Sequence, residues 1–196
     1  MIRLCAPGDA PQVAEIYRPF CEASHVSFET VAPSPEEMAA RIQKITVKYP
    51  WLVEDFDGII AGYTYASAHR ERAGYRWAVD VAVYVNEQFR GRGVGRALYT
   101  SLLAVLRSQG FLKAYAGVAL PNPSSLALHR AMGFTPVGVY QNVGFKNGAW
   151  RDVCWWQLAL GPELAPPPEP RPITEIIGSP RWQETLSASE HNRFSA

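Results

Sequence analysis

Arg90-Gly91-Arg92-Gly93-Val94-Gly95-Arg96 constrains this chain more than any other stretch. It follows a β-rich apolar run, Val81-Ala82-Val83-Tyr84-Val85, and precedes a run of helical character, Ala97-Leu98-Tyr99-Thr100-Ser101-Leu102-Leu103. A strand, a tight turn and a helix are therefore expected in immediate succession. Residues without a Cβ reach backbone conformations closed to others, so the turn can gather its N–H groups on one side. The helix start adds unpaired N–H groups and the positive end of the helix dipole. Arg90, Arg92 and Arg96 add full charges. Such a turn is suited to a diphosphate; the competing reading is a glycine-rich turn with exposed arginines.

The spacing narrows the ligand. A nucleotide P-loop needs Lys and then Ser or Thr after its last glycine, whereas Arg96-Ala97 follows Gly95. A dinucleotide fingerprint needs G-x-G-x-x-G, and glycines at 91, 93 and 95 fail it because position 96 is Arg. The pattern that fits is R-x-x-G-x-G between strand and helix.

With 196 residues the chain is long enough for one well-cored domain and too short for two of ordinary size. A formal net charge of +1 carries no polyanion-binding signature, so no nucleic-acid partner is expected. No apolar run approaches the length that spans a bilayer, and Met1-Ile2-Arg3-Leu4-Cys5-Ala6-Pro7 is broken too soon for a signal peptide. Cys5, Cys21 and Cys154 form an odd set without metal-ligand spacing and read as reduced thiols in a cytoplasmic protein. No metal site is expected.

Along the chain, Ile2 to Cys5 reads as a strand, and Asp9 and Pro11 open a helix. Ser34-Pro35-Glu36-Glu37 opens a second, and Asp57-Gly58 marks a hairpin turn. Strands follow over 77–85 and 112–120, with the glycine turn and a helix ending at Gly110 between them. A short helix begins at Pro123, and a final strand pair flanks Lys146-Asn147-Gly148. The expected division is one folded domain over 1–161 and a proline-rich extension over 162–196, either a mostly loose tail or a segment packed somewhere through Ile173, Ile176, Ile177 and Trp182, a second subunit being one candidate surface.

With these elements placed, the glycine turn resembles the pyrophosphate loop of the GNAT superfamily of acetyl-CoA-dependent N-acetyltransferases. Tyr75-Arg76-Trp77-Ala78-Val79-Asp80-Val81-Ala82-Val83-Tyr84-Val85 is similar to the Y-x-W-x-x-E-x-x-V-Y-V strand of phosphinothricin acetyltransferases. Gln109-Gly110-Phe111, Leu120-Pro121-Asn122, Met132-Gly133-Phe134 and the stretch from Gly144 to Val153 continue the likeness. The resemblance implies an α/β (α+β) fold whose central mixed sheet is twisted, splayed between its central strands and flanked by helices. It implies acetyl transfer from acetyl-CoA to the α-amine of a small amino-acid analogue of the phosphinothricin or methionine sulfoximine type, by direct attack, in a homodimer.

The same resemblance assigns candidate roles. Asp80 stands where the family has a basic Glu and is one methylene shorter; the plainer reading is a strand-end carboxylate paired with an arginine. His129 would protonate the departing thiolate or assist deprotonation of the amine, or else it is structural. Val83, Tyr84 and Val85 would line the thioester arm, and Arg90, Gly91, Arg92, Gly93, Val94, Gly95 and Arg96 the diphosphate. Asn122 and Ser125 would bond the cofactor or cap the helix. Phe28, Arg70, Arg72, Tyr75 and Tyr84 would form the acceptor pocket, the arginines gripping a carboxylate through paired hydrogen bonds. The rival readings are a CoA-binding module with weakened catalysis, for which Asp80 would be the sign, and an acetyltransferase of peptide N-termini.

Overall fold

The computed structural model describes residues 1–179 and 182–186. In chain order the elements are β1 (Ile2–Leu4), α1 (Ala10–Glu22), α2 (Pro35–Ile45), β2 (Trp51–Phe56), β3 (Ile59–Ala68), β4 (Ala78–Val85), α3 (Val94–Gln109), β5 (Lys113–Ala119), α4 (Pro123–Ala131), β6 (Thr135–Lys146), β7 (Ala149–Ala159) and the short α5 (Ile173–Ile176). The strands form one mixed sheet in the order β1-β2-β3-β4-β5-β7-β6. Every neighbouring pair is antiparallel except β4 and β5, which run parallel on either side of the α3 crossover.

Local chemistry accounts for the boundaries. Ser34 accepts a hydrogen bond from the Glu37 N–H, and the Glu37 carboxylate accepts from the Ser34 N–H, a reciprocal box that starts α2 at Pro35. Asp9 does not cap α1 as its position suggests. Its carboxylate turns back to accept the Ala6 N–H at 2.8 Å and to pair with Arg3 at 2.7 Å, closing a 3-10 turn ahead of the helix. Asp57 and Gly58, both at positive φ, make the β2–β3 turn, and Asn147 and Gly148 make the β6–β7 turn in the same way.

Two cores form, one on each face of the sheet. Val13, Ile16, Tyr17 and Cys21 of α1 and Met38 and Ile42 of α2 pack on Trp51, Val53, Ile60 and Tyr63. On the opposite face Leu98, Leu102, Val105 and Leu106 of α3 pack on Val79, Val81, Ala114 and Ala116. The approach of α3 depends on Gly62: a Cβ there would stand 2.8 Å from the Tyr84 carbonyl oxygen and 3.0 Å from Val94 Cγ1. The three cysteines are buried thiols.

Beyond β7 the chain runs as an extended strap. Glu163 pairs with Lys113 at 2.7 Å, the Trp77 indole N–H donates to the Pro168 carbonyl at 2.8 Å, and Glu169 pairs with Arg76. The Gln109 amide, at the end of α3, donates to the carbonyls of both Lys48 and Arg171 at 2.9 Å. Ile173, Ile176, Trp182 and Leu186 then bury themselves in the α3-side core, while Ile177 is exposed. The rest of the extension lies outside the described residues. Among the described residues no helix is long and apolar enough to cross a membrane, and no group of three His, Cys, Asp or Glu side chains is placed to hold a metal ion.

Candidate active site

The central feature is an opening in the middle of the sheet. β4 and β5 pair over only three rungs, Ala78 with Lys113, Val79 with Ala114 and Asp80 with Tyr115. Beyond Asp80 the two strands part. The direction of their backbone groups follows from their other partners. The Asn86 N–H donates to the Ala61 carbonyl, so in the antiparallel β3–β4 register the residues Tyr84, Ala82 and Asp80 bond to β3. Val83 and Val85 therefore aim their N–H and C=O groups into the opening. On β5, the bonds from Leu160 to Leu112 and from Leu120 to Asp152 assign the even residues to β7. Gly117 and Ala119 thus face the opening from the other side. Val81, Val83, Tyr84, Gly117, Ala119, Asn122, Ser125, His129, Tyr99 and Val26 line this cleft. A sheet interior holding two unpaired strand edges is costly unless something polar pairs with them. The cleft accordingly fits an extended, amide-bearing ligand.

The glycine turn lies at the end of β4. Gly91 and Gly93 adopt positive φ, 76° and 79°, and Gly93 caps α3 in the left-handed conformation. The first helical bond runs from the Ala97 N–H to the Gly93 carbonyl, which leaves the N–H groups of Val94, Gly95 and Arg96 without intrahelical acceptors. Arg92 lies over the Phe89 ring and Arg90 over the Phe20 ring, with Arg90 also 3.7 Å from Glu87. Stacking steadies both guanidinium stems at the mouth of the turn.

Asp80 sits on the last rung, where the strands separate. Its carboxylate accepts the Nδ1–H of His69 at 2.7 Å. Burial pushes the Asp80 carboxyl above the ordinary range, and the bond to His69 opposes that shift. His69, which precedes the expected acceptor residue Arg70, lies just past the end of β3. Its ring stacks on Tyr115 at 4.4 Å and meets the edges of Tyr75 and Trp155. The Ser67–Asp80 rung is the signal that could have found it, because a residue two further along β3 shares the face of Asp80. Asp80 pairs with this histidine rather than with an arginine.

His129 is 3% exposed and belongs to the opposite face, packed against Tyr99, Phe134 and Trp156. Its Nδ1 lies 2.7 Å from the Ser125 carbonyl, which can only accept, so Nδ1 carries the proton. Nε2 then accepts from the Tyr99 hydroxyl at 3.2 Å. Burial lowers the affinity of the ring for a second proton, holding it neutral at pH 7. Asn122 caps α4 through the Ser125 N–H while also lining the cleft. His129 thus lines the opening from the α3 side, while Asp80 stands at its closed end on the other face of the sheet.

The segment between α1 and α2 roofs the cleft on the α1 side. The buried Lys146 ammonium donates to the carbonyls of Phe20, Ser27 and Glu29, at 3.2, 2.6 and 2.6 Å. The His25 Nε2–H donates to the Pro121 carbonyl at 2.9 Å. These bonds set Val26 in the cleft wall and pack Phe28, half exposed, against Gly144. Tyr84 is held by Tyr17 and Phe20 at 4.9 and 5.0 Å. Arg70 donates to the His69 carbonyl and faces Trp155, whereas Arg72 is exposed and has no ion pair among the described residues. Tyr75 completes the rim beside His69. Of the expected acceptor residues, the structure gathers Arg70 and Tyr75 around His69 and places Tyr84 in the cleft wall; Phe28 stands on the β6 side.

Comparison with known proteins agrees with this geometry. The family model described as an acetyltransferase (GNAT) domain matches residues 2–155. The chain is 38% identical over 176 residues to a phosphinothricin N-acetyltransferase of Streptomyces viridochromogenes, covering 89% of this chain and 95% of the relative. It is 30% identical over 172 residues to an L-methionine sulfoximine/L-methionine sulfone acetyltransferase of Salmonella typhimurium, covering 84% and 97%. Among solved structures, a GNAT superfamily phosphinothricin acetyltransferase from Sinorhizobium meliloti, in complex with acetyl-CoA, superposes with a TM-score of 0.81 at 37% identity, covering 87% of this chain and 92% of that one. The splayed sheet, the glycine turn at the head of α3 and these matches lead to one assignment: the chain belongs to the GNAT family of acetyltransferases.

Proposed function

We propose that this chain transfers the acetyl group of acetyl-CoA to the α-amine of a small, anionic amino-acid analogue. The observation that carries the reading is the opening between β4 and β5, with its two unpaired edges and the glycine turn at one end. Acetyl-CoA supplies an activated thioester carbonyl. The N–H groups of Val94, Gly95 and Arg96, with Arg90 and Arg92, would hold its diphosphate, and the edges of β4 and β5 would pair with the amides of its arm. A backbone N–H of the Val83–Val85 segment would donate to the carbonyl oxygen as charge gathers there.

Asp80 and His69 supply the proton route on the acceptor side, and Arg70 and Arg72 would receive the acceptor's carboxylate. His129, on the thiolate side, would relay a proton between the reacting nitrogen and the departing sulfur. Because its ring rests neutral, it must gain that proton before giving it up, with the Tyr99 hydroxyl swinging clear of Nε2. Among the described residues the cleft lining holds no cysteine, and the Ser125 hydroxyl meets His129 at Nδ1, whose proton is held by the Ser125 carbonyl, so that serine has no base to activate it; this favours direct attack in a ternary complex. Val137, Val139, Tyr140, Val143 and Phe145 of β6, each 47–60% exposed, would meet a second copy of the chain in a homodimer.

Thiol release over a panel of amines, at saturating acetyl-CoA, tests the reading. Phosphinothricin, methionine sulfone and methionine sulfoximine are expected to be turned over well above ordinary amino acids and short peptides. Cofactor binding without turnover would point to a catalytically weakened module, and preferred turnover of peptides to an N-terminal acetyltransferase.

A further inference from the structure

We propose that the atom that accepts the amine proton is Nε2 of His69, and that Asp80 is the positioning residue behind it. This rests on the acetyltransferase reading and names the base within it. The geometry assigns each nitrogen a task. The Asp80 carboxylate takes the Nδ1–H bond, so the lone pair of the neutral ring lies on Nε2, which has no hydrogen-bond partner among the described residues. The ring is pinned on three sides, by Tyr115 beneath at 4.4 Å and by the edges of Tyr75 and Trp155. Arg70 anchors its backbone through the 2.8 Å bond to the His69 carbonyl. The side chain retains 14% exposure, enough for contact with a ligand but too little to swing freely.

Position argues the same way. Asp80 forms the last rung before β4 and β5 part, so the pair stands at the vertex of the cleft. An aspartate is short, and one of its oxygens is held by His69. An imidazole carried from the end of the neighbouring strand bridges that carboxylate across the sheet face to Tyr115 and to Trp155, the partner of Gly117 on the far side of the opening. A proton arriving at Nε2 makes an imidazolium that two existing neighbours stabilise, the Asp80 anion through a charge-assisted bond and the Tyr115 face through its electron density. The titratable and charged groups facing the pair are Asp80 on β4, Tyr115 on β5, Tyr65 on β3, Tyr75 in the turn before β4, and Arg70. Asp80 is the sole anion among them.

The step balances. The substrate ammonium gives one proton to Nε2, and the freed lone pair forms the C–N bond at the acetyl carbon. The C–S bond then breaks with its electron pair on sulfur. The second proton leaves the nitrogen and ends on that sulfur, giving amide and free thiol, while His69 returns its proton to solvent.

Three variants test the assignment, each with kcat and KM for both substrates measured over about pH 5.5–9, the span in which imidazole titrates. His69→Gln keeps a donor toward Asp80 and is expected to lower kcat about a hundredfold. Its KM for acetyl-CoA should stay within about twofold, and the acidic limb of the pH profile should vanish. His69→Ala is expected to regain at least about tenfold of its lost rate with added imidazole, which can occupy the vacated place on Tyr115. Asp80→Asn should lose rate yet keep an acidic limb, because the proton-accepting ring remains. If the alanine variant melts below the assay temperature, His69→Gln alone carries the test. An active wild type whose His69→Gln variant keeps its acidic limb and more than about a third of kcat would overturn the base assignment and leave the acetyltransferase reading standing. A wild type silent toward every amine would overturn both.

Discussion

At the scale of single residues, the site divides into groups held by the fold and groups left free for a ligand. Arg72 is the clearest of the second kind, exposed on the rim and without an ion pair among the described residues. Arg72→Ala is expected to raise KM for an anionic acceptor about tenfold, the size of one charge-assisted contact, while KM for acetyl-CoA changes little. Initial-rate kinetics with each substrate varied in turn would measure this, and equal increases in both would remove Arg72 from acceptor binding. His69 shows where sequence reasoning falls short. It lies eleven positions from Asp80, on the next strand across a loop, and no catalytic motif joins residues at that separation. The pair exists because the β3–β4 register sets Ser67 against Asp80. The neutral state of His129 was equally hidden, since it depends on the Ser125 carbonyl and on burial beneath Tyr99 and Trp156.

At the scale of elements, the turn chemistry was readable. Asp57-Gly58 and Asn147-Gly148 turn where glycine and short polar side chains relieve a positive φ, and the Ser34–Glu37 pair starts a helix. The glycine turn ahead of α3 was readable for the same reason. Gly93 stands at φ 79°, a conformation that costs other L-residues about 1–2 kcal/mol. Gly93→Ala is therefore expected to re-aim the first N–H groups of α3 and to weaken acetyl-CoA binding about tenfold, with Gly93→Asn less affected because asparagine tolerates that region. Isothermal titration would read both. The point at which β4 leaves β5 was not readable from composition or alternation. Val79, Val81 and Val83 look alike in sequence, yet only Val79 lies on a β5 rung. What separates them is how far the two strands stay in register, a property of the whole sheet; only the family likeness suggested a splay.

At the scale of the whole molecule, the strap after β7 joins distant parts. Through Gln109 it links the end of α3 to the Lys48 carbonyl ahead of β2, and it delivers Ile173 to a fully buried seat in the α3-side core. Ile173→Ala is expected to cost about 2–5 kcal/mol, by lost burial and the cavity left behind. A thermal melt should show it as a drop of roughly 2–4 °C for each kcal/mol. A variant melting like the wild type would mean that the strap rides on the core without supporting it. The parted strands carry a larger consequence. A sheet that acetyl-CoA mends at its centre, as proposed above, would owe part of its rigidity to that molecule. Acetyl-CoA at a hundred times its Kd should add about 2.7 kcal/mol to the folded state and raise the melting temperature by several degrees. How stiff this enzyme is, and how long it survives heat or proteolysis, would then track the supply of acetyl donor around it.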